Sequence, residues 1–321
     1  MMRVLKQLFI LLLCAAVLVG CGPAAPQPSQ SPTTAPTLAP TDPTTQTDPV
    51  ATTPQEDDTL KILAIGGSFS IDAMEYLYQI MEEGGQTKLV LGNLYNGGAS
   101  LGRHLKFATN DSPEYSYYKN TTGTWEVTDG YTVAQALADE NWDYITMQQS
   151  SGSSGMDYTY EDSLPQLIAY VRERNPDAKL VWHMTWAYQQ DYNEGAFPSY
   201  DKDQQKMYSM IVDCVQRCVL SHSEITFVIP AGTAIQNART SFLGDTLTRD
   251  GFHLDLYIGR YIAALTWYAA ITGNPVDDIT YNPAPAQISE DMLAAAREAA
   301  ENAVADPYNV TQSKITEGNR P

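Results

Sequence analysis

From residue 60 onward, short apolar runs alternate with stretches of helical period, and the regularity of that alternation predicts a fold class. Residues 62–65, Ile-Leu-Ala-Ile, read as a buried strand that stops at Gly66-Gly67 and delivers Ser68 into a strand-to-helix turn. A helix over 73–83 puts Met74, Leu77, Tyr78 and Met81 on one face and ends at Gly84-Gly85. Residues 88–95 form a second strand, which runs into a second double-glycine loop, Asn96-Gly97-Gly98-Ala99-Ser100. The alternation over 113–131, with a polar turn at 120–123, predicts an inserted hairpin. Beyond it the pattern gives a helix at 132–141, strands at 142–147, 179–186 and 225–229, and helices at 161–174, 200–221, 257–272 and 289–303. Five strands alternating with helices predict an α/β fold: a three-layer α/β/α sandwich with a mainly parallel five-stranded sheet, plus a small β-hairpin insertion. The C-terminal ends of parallel strands share one edge, and ligands bind in the crevice outside it.

The first 59 residues follow a different pattern. Residues 1–20 carry Arg3 and Lys6, then an apolar run over 8–19, and small residues lead directly into Cys21. That is the pattern of a secretory signal of the bacterial lipoprotein kind, with Cys21 as the lipidated mature N-terminus. A membrane-spanning anchor needs about 20 apolar residues and polar flanks, and neither is present. Residues 21–59 are mostly Pro, Thr, Gln, Ser, Ala and Asp, a composition that cannot offset chain entropy by burial and reads as a disordered tether. The folded domain is expected over 60–308, with a C-terminal tail at 309–321. This organisation places the protein at the bacterial cell surface or on the periplasmic side, bound to the membrane through lipid on Cys21.

Charge narrows the partners. The net charge is -19, and it becomes -21 once Arg3 and Lys6 leave with the signal. An acidic surface argues against nucleic acid or anionic lipid as a partner. Cys214 and Cys218, four apart on an expected helix, read as two buried thiols, with a disulfide or metal pair as the alternative.

Ser68 sits where either of two chemistries fits. A Gly-rich turn opening a helix can present a nucleophile or bind an anion. Of the four histidines, His222 reads as solvated at a helix end, His183 as a core residue within a strand, and His104 as a possible crevice residue after the second glycine loop. His253 has a carboxylate, Asp250, three residues earlier across a glycine. At that spacing Asp250 can accept from imidazole Nδ1–H and leave Nε2 free to take a serine proton.

These stretches together resemble the SGNH, or GDSL-like, hydrolase superfamily, and most closely a bacterial branch of largely uncharacterised SGNH-like lipoproteins. The carriers are Ile-Gly-Gly-Ser-Phe-Ser at 65–70, Asn-Gly-Gly-Ala-Ser-Leu at 96–101, Gln-Gln-Ser-Ser-Gly at 148–152 and Asp-Gly-Phe-His at 250–253. The resemblance implies Ser68 as nucleophile, His253 as base and Asp250 as its orienting partner. It further implies an oxyanion hole from the Ser68 and Gly98 N–H groups, with Gln148, or Gln149 next to it, in place of the asparagine of a Gly-x-Asn-Asp block. That block is missing here, and Gly67 stands where Asp or Asn is usual. One oxyanion donor is worth about 2.7–4 kcal/mol of barrier, so the exchange bears on rate.

The function implied is a surface-tethered serine esterase working through an acyl-enzyme, with no metal and no cofactor. For such an enzyme, with Trp186, Tyr188 and the hairpin aromatics near the site edge, a small-molecule or polysaccharide ester is the expected substrate, acetylated carbohydrate above all. Three alternatives stand beside it: an inert or weak carbohydrate-binding lipoprotein on the same scaffold, a nucleotide or phosphate binder, and a transporter's solute-binding lipoprotein. The second lacks the lysine and the glycine spacing of phosphate loops, and the third requires two similar lobes where the pattern gives one.

Overall fold

The computed structural model describes residues 58–320. The expected signal segment, Cys21 and the tether up to residue 57 lie outside the described residues. The chain runs β1 (Leu60–Gly66), α1 (Ser68–Met74), α2 (Leu77–Glu83), β2 (Leu89–Tyr95), α3 (Leu101–Thr109), β3 (Tyr115–Asn120), β4 (Trp125–Tyr131) and α4 (Val133–Asp139). It continues through β5 (Tyr144–Met147), α5 (Ser163–Arg174), β6 (Lys179–His183), α6 (Gln204–Cys214), β7 (Ile225–Ile229), α7 (Ala231–Ala238), α8 (Ile258–Thr272) and α9 (Glu290–Ala305).

One sheet takes the order β4-β3-β2-β1-β5-β6-β7. Its five parallel strands, β2-β1-β5-β6-β7, are those expected from the apolar runs, and β1 is the middle strand of the whole sheet, paired with β2 and β5. The hairpin does not stand apart. β3 pairs antiparallel with β2, Leu91 opposite Asn120 through Tyr95 opposite Ser116, so the sheet has seven strands rather than five. That pairing covers a strand edge that would otherwise leave its N–H and C=O groups open. Helices α1, α2, α7, α8 and α9 pack with one another, and α3, α4 and α5 form a second group. Right-handed crossovers put α1 and α2 on one face of the sheet and α3, α4 and α5 on the other, and α7, α8 and α9, which follow the last strand, pack with α1 and α2, so that three layers close.

Local chemistry explains where element boundaries depart from the pattern. The helix expected at 73–83 is two helices, and the first of them already begins at Ser68. The helix expected at 200–221 starts late, because Asp201 and Lys202 are left-handed and Asp203 caps α6 by accepting from the Lys206 N–H. It ends in a π-helical turn, Val215–Val219, that carries Cys218. Cys214 and Cys218 are free thiols, but only Cys214 is buried as expected, which pushes it up to about 12, whereas Cys218 in the π-helical turn is partly exposed. The fourth apolar run leaves the sheet at His183, three residues before Trp186.

The segment expected as a C-terminal tail belongs to the domain. Thr311 N–H donates to Asn237 Oδ1 at 2.8 Å, Ser313 N–H to Thr240 Oγ1 at 2.8 Å, and Phe242 N–H to Ile315 O at 3.1 Å. Ser313 Oγ and Lys314 N–H both donate to the Glu298 carboxylate, while Val310 and Ile315 pack on the core. Asn237 is buried on α7, so its carbonyl needs that partner. A chain ending at Tyr308 is therefore expected to lose roughly 2–4 kcal/mol, the net worth of these bonds and contacts. Its thermal midpoint should fall by several degrees, and a midpoint equal to the full chain would show the segment to be inessential.

Candidate active site

β1 ends at Gly66, and its neighbour β5 ends one register step away at Met147, so Ser68 and Gln148 emerge side by side at the carboxyl edge. The approach there is close, since a Cβ on Gly66 would stand 2.4 Å from Ser70 Oγ and 3.0 Å from Gln148 Oε1. Ser68 is the first residue of α1, and its Oγ lies 2.9 Å from His253 Nε2. His253 Nδ1 lies 2.7 Å from Asp250 Oδ2. The other oxygen, Asp250 Oδ1, accepts from the N–H groups of His253 and Phe252 at 2.8 and 3.3 Å. Between Asp250 and His253, Gly251 takes φ +92°, a left-handed turn that lets one carboxylate meet both the ring and the backbone of the residue three positions on. The hydroxyl, imidazole and carboxylate thus form one hydrogen-bonded chain, with Nδ1–H donating to Asp250 and Nε2 available to the serine proton.

Burial works to raise the Asp250 carboxyl, but the hydrogen bonds from the His253 ring and from the two backbone N–H groups outweigh it and hold the carboxyl below its ordinary value.

Donors converge beside Ser68. The N–H groups of Ser68 and Gly98 meet no acceptor among the described residues, and Gly98 N lies 3.7 Å from where a Cβ on Gly67 would stand. A side chain at position 67 would press on the Asn96 carbonyl at 3.2 Å, so glycine there leaves room at the loop that carries Gly98. Gln148 is oriented from below. Its Oε1 is 3.2 Å from Nδ1 of His183, which burial holds neutral by lowering its pKa to about 3. A neutral His183 with its proton on Nδ1 donates to Oε1 and so turns the Gln148 amide NH₂ the other way. That NH₂ has no acceptor among the described residues and is not sealed from solvent.

Gln149 has a different task. Its Oε1 accepts from Leu101 N–H and Ser150 N–H at 3.0 and 2.9 Å, and its Nε2 donates to Thr159 Oγ1 and O. With both ends of the amide committed, Gln149 ties the Gly98 loop to residues 150–159 and has no donor left for a ligand. Trp186 and Tyr188, expected at the site edge as substrate contacts, are buried beneath it. Trp186 stacks on Phe69 with ring centroids 4.0 Å apart, and its Nε1 donates to Phe252 O at 2.7 Å. Tyr188 OH pairs with Ser151 Oγ at 2.9 Å, and its ring packs on Phe252. Both rings support the His253 loop from inside and present no face to a ligand. His104 is also buried, against Tyr115 OH at 2.7 Å, and burial lowers it to about 4.

The residue that joins the site's halves carries no motif. Asp72, one turn after Ser68 on α1, is fully buried. Its carboxylate accepts from Arg249 Nη1 at 3.0 Å, Arg260 Nη2 at 2.8 Å and Leu254 N–H at 3.0 Å. Arg249 Nη1 also donates to Leu254 O, and a bridge pairs Thr248 with Leu254. Arg249 and Leu254 bracket Asp250 and His253, so one carboxylate fixes the loop of Asp250 and His253 to the helix that begins at Ser68. A sequence signal existed: an acid at a core-facing position of a short helix, together with an arginine inside the apolar stretch of α8, predicts a buried pair.

The matching family model, described as Domain of unknown function (DUF4886), spans residues 61–303, and the chain belongs to this family. A crystal structure of a DUF4886 family protein from Bacteroides uniformis shares 47% identity over 79% of this chain and 98% of that chain, with a TM-score of 0.76. A candidate SGNH hydrolase from Slackia heliotrinireducens shares 20% identity over 66% of this chain and 99% of that chain, with a TM-score of 0.46. An acetylxylan esterase from Geobacillus stearothermophilus, Axe2, shares 12% identity over 70% and 95%, with a TM-score of 0.43. No curated protein matches the sequence.

Two outcomes follow from this geometry. Asp72→Asn keeps the shape but removes the charge between two arginines, and it is expected to cost about 3–5 kcal/mol of stability. Labelling of Ser68 by a fluorophosphonate probe should slow as well, although Ser68, His253 and Asp250 are all retained; unaltered melting and labelling would refute the clamp. The Asp250 carboxyl, lower in the fold than its unfolded value of about 3.9, stabilises the protein above that value, and this is lost as pH falls through the lower folded value. Asp250→Asn should therefore melt below wild type at neutral pH, and the gap should close only in acid below about pH 4.

Proposed function

We propose that this DUF4886 protein is a serine esterase that cleaves an ester through an acyl-enzyme, tethered at the bacterial surface by lipid on Cys21. The observation that carries the reading is the unbroken chain from Ser68 Oγ through His253 to Asp250, at 2.9 and 2.7 Å, beside donors that no group among the described residues uses. In the mechanism, His253 Nε2 takes the Ser68 proton as Oγ attacks the ester carbonyl. The oxyanion that develops is held by the Ser68 and Gly98 N–H groups and by the Gln148 amide, all fixed before substrate arrives. His253 then gives its proton to the departing alcohol, water takes the alcohol's place, and the same base activates it to release the acid.

His183 enters as a positioning residue, because it decides which end of the Gln148 amide faces the cleft. An acetylated carbohydrate is the substrate class this reading favours, since ester-bearing glycans are what a tethered surface enzyme meets.

The test is labelling by a fluorophosphonate probe together with acetate release from aryl acetates and acetylated glycans. Wild type should be labelled and Ser68→Ala should not. His253→Ala is expected to lower kcat by about 10⁴-fold or more, and Gln148→Ala by about 10²–10³-fold. Equal labelling of wild type and Ser68→Ala, or activity that survives His253→Ala, would sink the esterase reading. A protein that binds glycans but is never labelled would instead be a binding lipoprotein on this scaffold.

A further inference from the structure

The helix of the nucleophile has a second stretch that faces outward. Ser68, Ile71 and Glu75 follow one another at spacings of three and four, so they lie along one stripe running from α1 into the residue after it. Beside Ile71 and Glu75 opens a cavity of about 220 Å³, bounded also by Asn93 of β2 and by Tyr118 and Trp125 of the hairpin. None of these residues takes part in the chain from Ser68 to Asp250 or in the oxyanion donors.

Three features show this cavity to be built. Asn93 is only 1% exposed, and its Oδ1 accepts from Ser70 Oγ at 2.9 Å. Its Nδ2 has no acceptor among the described residues and is not sealed off, so a buried amide offers its donors to the cavity. Next, Asn93 pairs with Tyr118 across the β2–β3 ladder, and Trp125 pairs with Asn120, which places all three on the face that α1 covers. Tyr118 is braced edge-on by Tyr95 at 6.0 Å. Finally, the hairpin turn is fastened to α2 by Gln79 Nε2 donating to Gly123 O at 2.9 Å and Tyr78 OH donating to Thr121 O at 3.1 Å. Trp125, two residues past Gly123, is thus held in place before any ligand arrives.

The chemistry of the lining selects its occupant. Two aromatic side chains, an amide donor and the Glu75 carboxylate, itself 3.3 Å from Arg260 Nη1, surround one space. A pyranose matches that combination, with a C–H face for the rings and hydroxyls that both donate and accept. An acyl chain would leave the Asn93 amide NH₂ desolvated without an acceptor, which is costly. The volume is below the roughly 300–1,000 Å³ of sites that enclose a whole ligand, so the cavity suits one ring of a longer glycan. Ile71 lies only about 4.5 Å along the helix axis from Ser68, at roughly 1.5 Å rise per residue.

We propose that this cavity is a pyranose subsite for the glycan whose ester Ser68 attacks. The placement of the ester rests on the esterase reading above; the sugar binding does not. The test has two arms. In the first, saturation-transfer NMR with cello-, xylo- and chito-oligosaccharides is run on Ser68→Ala, on Ser68→Ala/Trp125→Ala and on Ser68→Ala/Trp125→Phe. Transfer to ring protons should appear in the single variant, vanish with alanine and return with phenylalanine. In the second, the ratio of kcat/KM for acetylated oligosaccharide over 4-nitrophenyl acetate should fall about tenfold or more in Trp125→Ala, the size expected for one lost aromatic contact, and largely recover in Trp125→Phe. Melting curves confirm that each variant folds. Aryl acetate turnover with a ratio indifferent to Trp125 would overturn the subsite and leave the esterase intact. Trp125-dependent sugar binding without any turnover would do the reverse, and sugar binding in the first arm that ignores Trp125 also overturns the subsite.

Discussion

A single buried carboxylate determines whether this site exists. Asp72 has no contact with solvent, so its charge is tolerable only while Arg249, Arg260 and the Leu254 N–H surround it. Those partners lie 177 to 188 residues away in sequence and come from both flanks of the loop that carries Asp250 and His253. The requirement that a buried charge be paired therefore fixes the distance from one end of α1 to a loop that no regular element holds. Ser68 sits at the other end of the same short helix, and a 2.9 Å contact to His253 follows. Aromatic packing finishes the job from beneath, where Trp186 stacks on Phe69 and donates to the Phe252 carbonyl.

The sheet supplies the other half of the geometry. β1 is central, its neighbours β2 and β5 end beside it, and their following loops bring Gly98 and Gln148 to the same place as Ser68. Each of these groups has a dedicated support. Gln149 anchors the Gly98 loop through the Leu101 N–H, and His183 fixes the Gln148 amide. Neighbouring glutamines thus divide the work, one given to structure and one facing the cleft.

Much of this was legible in the chain itself. The five parallel strands show as apolar runs between glycine and proline breaks, because strands covered on both faces need apolar residues throughout. Asp250 and His253 are readable because they lie only three positions apart. What the sequence conceals depends on long-range neighbours. Trp186 and Tyr188 look like site aromatics by position, yet the chain turns inward after His183 and buries both. Gln148 and Gln149 are identical in type, and only their partners, 35 and 48 positions away, tell them apart. For Asp72 the chain signals a buried acid but not which arginines meet it, since they are distant. The C-terminal segment looks like a tail because it has no periodic pattern, although its backbone is satisfied by side chains of α7 and α9.

The hairpin has a cost that its sequence offsets. β4 is the outermost strand on its side of the sheet, with most of its length exposed and Val127 open to water. An uncovered strand of this kind is a template on which a second copy can add its own sheet. Glu126 and Asp129 lie on it, Gly130 takes φ +75° near its end, and the ladder to β3 is irregular at Tyr115. Two such strands meeting would oppose like charges on molecules that each carry -19, and the irregular end would resist a flat ladder. The wall that shapes the cavity near Ser68 can therefore project into solvent, even where copies are crowded together, without zipping neighbouring molecules into aggregates.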